Sequence, residues 1–596
     1  MRFKYFLLAL VLAVELPSLG QNLGMPLDYL ISLSGNYAAL RKNHFHMGLD
    51  FRTDNKENLR ILSVEDGYVS RVVVSPNGYG KAIYVHHPQI GLTSIYAHLN
   101  AFRPDIEAWL DQVQYALKRN TIDTSFTRPR FDVRKGEHLA FSGNTGSSEG
   151  PHLHFEIRNL RTEKTINPLH YYTQIEDTIQ PLLSKILFYH YEGESIFIHS
   201  FPKEDVHKQT LEINSGSVGI GISAMDKMNN TPNTFGIYAF RLYEDNKLIY
   251  QFKLDSLDFR WQSHIKATSD YGLGISDVYK GFFENCSFNL TDSNSKNGII
   301  YLNKGDNKYI RLEVYDFKGN MSSVDFNLTT TADFFADKSR QINCQQEQIL
   351  TDQKSFQIMI PSKGLAENYT IEYTLEKLAT NEVFKMTVLD SSVAALKPYQ
   401  LSYFIPKDQV DATKLYLETR GDNRLKTYTG IIQDNALTFP KVKNYGLLIV
   451  KYDKKSPIIS PELIRKTNKV IFSAKDEESG IGEYQLYIEG LWRKLYYDEK
   501  NNQSIYLDGE LYKHGKKLQD ISGDSRNEKA DVSTKNKLRN EYHIYDCFYP
   551  KELDQTYESR YEQLKELFSG LSDNAKKVIK EVPTELVESL EEAEKT

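Results

Sequence analysis

Gly150-Pro151-His152-Leu153-His154-Phe155-Glu156 alternates with a period of two: Leu153, Phe155 and, just beyond, Ile157 share one face of an extended segment, and His152 and His154 share the other. The stretch predicts a β-strand with its apolar side on a core and both imidazoles looking into one cleft. Toward the N-terminus the strand habit continues. Ile61 to His98 falls into short alternating runs (Tyr68 to Val74, Ala82 to Val85, Thr93 to Tyr96) punctuated by Asp66-Gly67 and Asn77-Gly78, the pattern of antiparallel hairpins. Arg103 to Arg119 departs from it: Ile106, Trp109, Leu110, Val113 and Leu117 recur at helical spacing and predict a helical insertion. Sheet resumes from Phe131 to Phe141.

Beyond Tyr172 the chain stays rich in Tyr, Phe, Ile and Thr, with turns such as Glu244-Asp245-Asn246 and Asp316-Phe317-Lys318-Gly319-Asn320, which predicts small β-sandwiches. Ser223-Ala224-Met225-Asp226 followed by Gly236-Ile237 is echoed by Ser473-Ala474-Lys475-Asp476 followed by Gly480-Ile481, so two related modules are expected. At 596 residues the chain is too long for one core. The expected division is a signal segment over 1–20, a histidine-bearing domain over 21–175, an Ig-like β-sandwich over 176–340, a β-rich unit over 341–454, a second and incomplete Ig-like module over 455–510, and a flexible segment with a helical tail over 511–596. The tail rests on Leu564, Leu567, Phe568 and Leu571 at helical spacing, with Ser572 as a cap for a following helix.

Arg2 and Lys4, the apolar run Phe6 to Val14 and Ser18-Leu19-Gly20 have the layout of a cleaved export signal, with the mature chain starting near Gln21. Glu15 interrupts the run well short of the ~20 residues that a membrane span needs, and no later stretch suffices, so no transmembrane span is expected after cleavage. A net charge of -6 with no polybasic block gives no sign of a nucleic-acid partner. Cys286, Cys344 and Cys547 fit neither a disulfide framework nor a thiolate metal site; they leave room for a single bridge in an oxidising compartment, with the pair undetermined.

Histidine and aspartate concentrate at four places in the first third: His44-Phe45-His46-Met47-Gly48-Leu49-Asp50, His86-His87, Tyr96-Ala97-His98-Leu99 and Gly150 to Glu156. A catalytic zinc takes three nitrogen or oxygen ligands and keeps one position open for water. Among fifteen histidines a lone His-x-His pair arises by chance and carries little; a strand histidine by itself is most simply a packed one. The conjunction, in order, within one compact strand-rich segment is what carries weight.

That segment resembles the lysostaphin or LytM-type zinc metalloendopeptidases, whose signature is His-x-x-x-Asp followed later by His-x-His. Asp66-Gly67-Tyr68-Val69, Gly78-Tyr79-Gly80, Tyr96-Ala97-His98-Leu99, Lys135-Gly136 and Gly143-Asn144-Thr145-Gly146 are similar to the accompanying motifs. The resemblance covers about a quarter of the chain. It implies a mainly β fold with an antiparallel lysostaphin-type peptidase domain, one Zn2+ held by His46, Asp50 and His154, and catalytic roles for His98 and His152. His152 would act as general base toward water and His98 would steady the oxyanion or orient the water. With no His-Glu-x-x-His helix, a glutamate base is not expected.

His44 lies outside the family pattern, and His86 and His87 are expected to be exposed or packed. Glu156 could accept from a ligand imidazole or face outward. Gly78, Gly80, Gly143 and Gly146 read as turn glycines needing positive φ. The connection between His98 and Lys135 is longer than in compact members, and its 103–119 helix could wall the groove or be a passive decoration. The implied activity is hydrolysis of peptide bonds in bacterial peptidoglycan by an exported protein of the periplasm or cell surface, with the sandwiches positioning it or holding an envelope partner. The rival readings are a non-catalytic peptidoglycan-binding scaffold, an activator of other cell-wall hydrolases, and an exported protease acting on ordinary proteins.

Overall fold

The computed structural model describes most residues from 22 to 507; residues 1–21, 508–596 and shorter internal stretches, the longest being 283–296, lie outside that description. The expected signal segment, the flexible segment and the helical tail therefore fall outside the described residues, as do Cys286 and Cys547. Among the described residues no helix is long and apolar enough to cross a membrane.

The architecture is mainly antiparallel β. In the first sheet the chain forms β1 (Leu33–Gly35), β2 (Leu49–Arg52), β3 (Arg60–Leu62), β4 (Gly67–Val74), β5 (Lys81–His87), β6 (Leu92–Phe102), α1 (Pro104–Leu117), β7 (Ile122–Val133), β8 (His138–Ser142), β9 (His152–Asn159) and β10 (Thr165–Ile166). The strands run in the order β1-β2-β9-β6-β5-β4-β7, with β8 joining β6 to β3, and β10 joining β9 to the short strand Ser256–Leu257. The histidine-bearing strand β9 is thus central, flanked by β2 and β6. Its alternation sends Leu153, Phe155 and Ile157 into the core, where all three are fully buried. Phe155 meets Tyr96 and Phe51 with ring centroids 5.3 and 6.0 Å apart. Burying each such side chain stabilises the fold by roughly 1.5–3 kcal/mol.

Helix α1 is where the apolar spacing places it. Pro104 occupies its first turn with Asp105 and Glu107, whose charges suit the N-terminal dipole. Ile106, Trp109, Leu110 and Val113 are buried, and Trp109 packs on Phe126 and Phe131 of β7. Leu117, expected on the same face, is 39% exposed because Lys118 turns left-handed (φ 50°) and peels the chain away into β7. That strand begins at Ile122, nine residues before the predicted resumption of sheet at Phe131. On its outer side α1 meets the C-terminal part of the chain: Tyr115 stacks edge-on against Trp492, and Asp111 pairs with Lys494. Its contacts make it a brace between the sheet and that later segment.

From Leu182 a second, ten-stranded sheet follows, built around the long strand Thr210–Lys227. The apolar core is continuous from the first sheet into this one. Two five-stranded sheets within 348–452 enclose a separate core containing Phe356, Leu401, Met386 and Leu448. A four-stranded sheet then spans 458–507. Ser473, Ala474 and Lys475 lie on the strand Lys469–Lys475, whereas Asp476 and Gly480-Ile481 of the internal echo are outside the described residues. Cys344 is buried and disulfide-bonded, so a bridge does form, as oxidising surroundings allow.

Candidate metal centre

Strand pairing brings the donors together. In the β2–β9 ladder Asp50 stands directly opposite His154, and Arg52 opposite His152; on the other side of β9, Ala97 stands opposite His154. Directly opposed residues have Cβ atoms ~5 Å apart, so their side chains meet without further help. His46 enters from the segment just before β2. Its Nε2 lies 2.8 Å from Asp50 Oδ1 and 3.0 Å from His154 Nδ1, and His154 Nδ1 lies 3.0 Å from Asp50 Oδ1. All three residues are buried.

The opposite ring nitrogens define which atoms face inward. His46 Nδ1 donates to the Asn36 carbonyl at 2.7 Å, because a carbonyl can only accept. His154 Nε2 donates to Glu156 Oε1 at 3.0 Å. Two imidazole lone pairs and a carboxylate oxygen consequently converge on one point, an arrangement that is repulsive unless a cation occupies it. Burial opposes protonation of His154, but the hydrogen bonds of Asp50 and Glu156 overcome it and raise the group to about 9. Burial would likewise raise Asp50, yet His46 and His152 hold it well below the usual carboxylate range. The site calls for positive charge, and three N/O donors with small mutual separations fit zinc.

Glu156 is settled by the fold: it is fully buried on the His154 face of β9. Arg158, two residues further along that face, grips its Oε2 through Nε and Nη2 at 2.9 and 2.7 Å. The Tyr79 hydroxyl donates to Oε1, and the Tyr79 ring stacks on His154 at 5.4 Å. Arg41 Nη2 binds the second oxygen of Asp50 at 3.0 Å. Asn36 and Arg41 carry no sequence signal; Tyr79 stands in the Gly78-Tyr79-Gly80 motif without a role that the motif assigns it, and the signal for Arg158 is the i, i+2 continuation of the strand face beyond Glu156.

His98 and His152 stand beside the three donors. Residues Ala97 and His98 together oppose the single residue Ala82, since Lys81 pairs with Leu99 and Ile83 with Tyr96. This β-bulge, with His98 at φ 59°, redirects the imidazole out of the sheet's alternation. His98 Nδ1 donates to the Thr145 carbonyl at 2.8 Å, and burial, reinforced by His152 and His154, holds the ring well below the usual imidazole range. His152 Nδ1 lies 2.8 Å from the Gly150 carbonyl, which leaves Nε2 with its lone pair 3.4 Å from Asp50 Oδ1. The two rings are 4.8 Å apart.

Two glycine loops hold this bulge. Gly80 (φ 65°) and Gly146 (φ 70°) meet backbone to backbone: a Cβ on Gly146 would lie 2.3 Å from Gly80 N. Their contact aligns the Thr145 carbonyl with His98 and the Tyr79 ring with His154. Gly143 differs from the expectation, since its φ is not positive; it is needed because a Cβ there would come within 2.5 Å of Asn100 N. His87 is a packed structural histidine, fully buried and bound to the Asp66 carbonyl at 2.9 Å and to Ser94 Oγ at 2.7 Å. His86 meets Tyr68 edge to face, with ring centroids 5.6 Å apart. His44 does not belong to the converging trio.

No protein-family model matches the chain. It is 29% identical over 124 residues to a protein of Haemophilus influenzae described as an uncharacterized metalloprotease, covering 21% of this chain and 20% of that protein. Over 113 residues it is 30% identical to the DD-carboxypeptidase/endopeptidase Mpg of Neisseria meningitidis, covering 19% of this chain and 20% of that one. The chain thus spans about a fifth of the length of the curated relatives it matches. Among solved structures, Csd3 of Helicobacter pylori aligns at 27% identity over 26% of this chain and 33% of that chain, with a TM-score of 0.18. The catalytic domain of lysostaphin from Staphylococcus simulans aligns at 18% identity over 24% of this chain and 92% of that chain, with a TM-score of 0.19.

Proposed function

Because the curated relatives of this chain are described as a metalloprotease and a DD-carboxypeptidase/endopeptidase, and its histidine-bearing segment resembles the lysostaphin or LytM type, we propose that it is an exported zinc metalloendopeptidase that hydrolyses peptide bonds in bacterial peptidoglycan. The observation that carries the proposal is the convergence of His46 Nε2, Asp50 Oδ1 and His154 Nδ1 within 3.0 Å of one another, with His98 and His152 alongside. Zinc held by those three atoms supplies a Lewis acid that polarises the scissile carbonyl and makes water acidic enough to react near neutral pH.

The chain's own residues do the rest. Asn36 and Glu156 lock the tautomers of His46 and His154, so that each presents a lone pair to the ion. His152, its Nδ1–H given to Gly150, accepts the proton of the attacking water at Nε2 and returns it to the leaving amine. His98, its Nδ1–H given to Thr145, is a neutral acceptor at Nε2. That tautomer favours orienting the attacking water over donating to an oxyanion, which would require a second N–H. The bridge at Cys344 supports the exported location. The sandwiches that follow serve to position the catalytic part or to hold an envelope partner.

The test is mass spectrometry of muropeptides after incubation of purified peptidoglycan with the mature protein. New amino termini, lost on chelation and restored by zinc, are expected. Zinc-free protein that binds the wall without releasing amines would overturn the catalytic reading and leave a scaffold or an activator of other hydrolases. Equal cleavage of unrelated proteins would overturn the substrate assignment alone.

A further inference from the structure

A second buried cluster of donors lies outside the histidine site. Asp177, Asp226 and Asp316 each offer a carboxylate oxygen within 4.8 Å of the other two, and all three residues are buried. They come from separate parts of the chain. Asp177 lies in the connector between the first sheet and the strand Leu182–Tyr191. Asp226 is the penultimate residue of the strand Thr210–Lys227, and Asp316 opens the tight turn between Asn307–Tyr315 and Met321–Asp333.

Acidic clusters on their own mean little, but here the partners of each carboxylate are specified. Asp316 takes Asn320 N at 2.8 Å and Asn320 Nδ2 at 2.6 Å. Asp177 takes the Ile179 N–H at 3.1 Å. Asp226 is 3% exposed, and its buried Oδ1 has no hydrogen-bond partner among the described residues. An orphaned, desolvated carboxylate oxygen in a cluster of three carboxylates costs several kcal/mol unless a proton or a cation joins it.

We propose that Asp177, Asp226 and Asp316 bind one calcium ion that ties the connector after the first sheet to the second sheet. Oxygen-only donors with a formal charge of about −3 suit a hard cation, and ligands from a connector, a strand end and a turn suit calcium's flexible coordination better than magnesium's strict octahedron. Burial and the neighbouring carboxylates raise Asp226 to about 8 and Asp177 to about 6, outweighing the Lys227 N–H at Asp226 and the Ile179 N–H and Lys318 charge at Asp177. The surroundings fit a clamp. Asn320 Nδ2 also holds the Asp177 carbonyl at 3.1 Å, Lys318 Nζ holds the Thr173 carbonyl at 2.9 Å, and Ser322 Oγ holds the Pro181 carbonyl at 2.5 Å. Next to them Phe317 packs on His170 of the first domain at 4.9 Å. The ion completes a set of contacts that fixes how the catalytic part is carried.

The experiment uses the full mature chain with excess zinc, so that the histidine site is saturated, and measures radioactive calcium by equilibrium dialysis alongside thermal unfolding. Saturable binding of one calcium per chain is expected, with a Kd of roughly 10⁻⁴–10⁻³ M as in extracellular calcium modules. The unfolding temperature should rise by roughly 5–10 °C at a hundredfold excess over Kd. Asp226→Asn, nearly isosteric and relieved of the repulsion, should fold and bind calcium at least about 10-fold more weakly, with Asp316→Asn as a second variant. Absence of saturable calcium on the parent protein would overturn the site whatever the variants do. So would parental affinity in either variant.

Discussion

His152 keeps its Nδ1–H on the Gly150 carbonyl and touches the three-donor cluster only through Nε2, so its removal should spare the ion. His152→Ala is expected to retain zinc, read by elemental analysis, while turnover falls by about 10²–10⁴-fold. His46→Ala and Asp50→Ala should lose both zinc and turnover. Normal hydrolysis by the His152→Ala protein would remove its assigned role. Glu156 is the other decisive residue at this scale. Glu156→Gln keeps an acceptor for His154 but withdraws the charge that offsets buried Arg158, and should weaken zinc binding by roughly 10–100-fold in a competition with a chromogenic chelator. Unaltered affinity would reduce Glu156 to a packing group. The five histidines and aspartates of the candidate site stand in short motifs that can be read along the chain. Asn36 and Arg41 have no motif, because what recruits them is only the space their neighbours leave.

At the scale of elements, β9 is the piece most legible beforehand: a period-two alternation with one apolar side has a single way to sit on a core. The bulge at Ala97-His98 was not legible, because a two-against-one pairing depends on the register of β5 against β6, and nothing local to β6 reports that register. The same bulge depends on the Gly80–Gly146 contact. Gly146→Ala forces an L side chain into positive φ and into Gly80 N at 2.3 Å, and should destabilise the first domain by roughly 2–5 kcal/mol in a denaturant titration. Replacement without loss of stability would mean that the two loops separate freely, and that His98 is positioned by something else. For α1, the apolar spacing predicts the buried Ile106, Trp109, Leu110 and Val113 but not the burial of Gln114 or the exposure of Leu117, since the left-handed turn at Lys118 that exposes Leu117 is a property of where the chain goes next.

Across the whole molecule, the second sheet reaches back to the candidate metal centre through Asn36. Its side chain exchanges two hydrogen bonds with Gly236, Nδ2 to the carbonyl at 2.7 Å and Oδ1 from the N–H at 3.0 Å, while its own carbonyl orients His46. Asn36→Ala leaves a buried N–H and C=O of Gly236 unpaired and should cost about 1–3 kcal/mol or more. It should also weaken zinc binding, although no ligand is altered; a variant with parental stability and affinity would show that the two parts are independent. The sequence by itself determined the mainly β class, the period-two strand that carries His152 and His154, and which side chains have the chemistry to hold an ion, because alternation and donor type are local properties. Only the tertiary structure decided that His46 and Asp50 meet His154 atom to atom, that Glu156 points inward, that His98 leaves its sheet, and that Asp177, Asp226 and Asp316 share one buried point. Each of these depends on strand register and on chain segments far apart in sequence, whose relative placement is set by the packing of the whole.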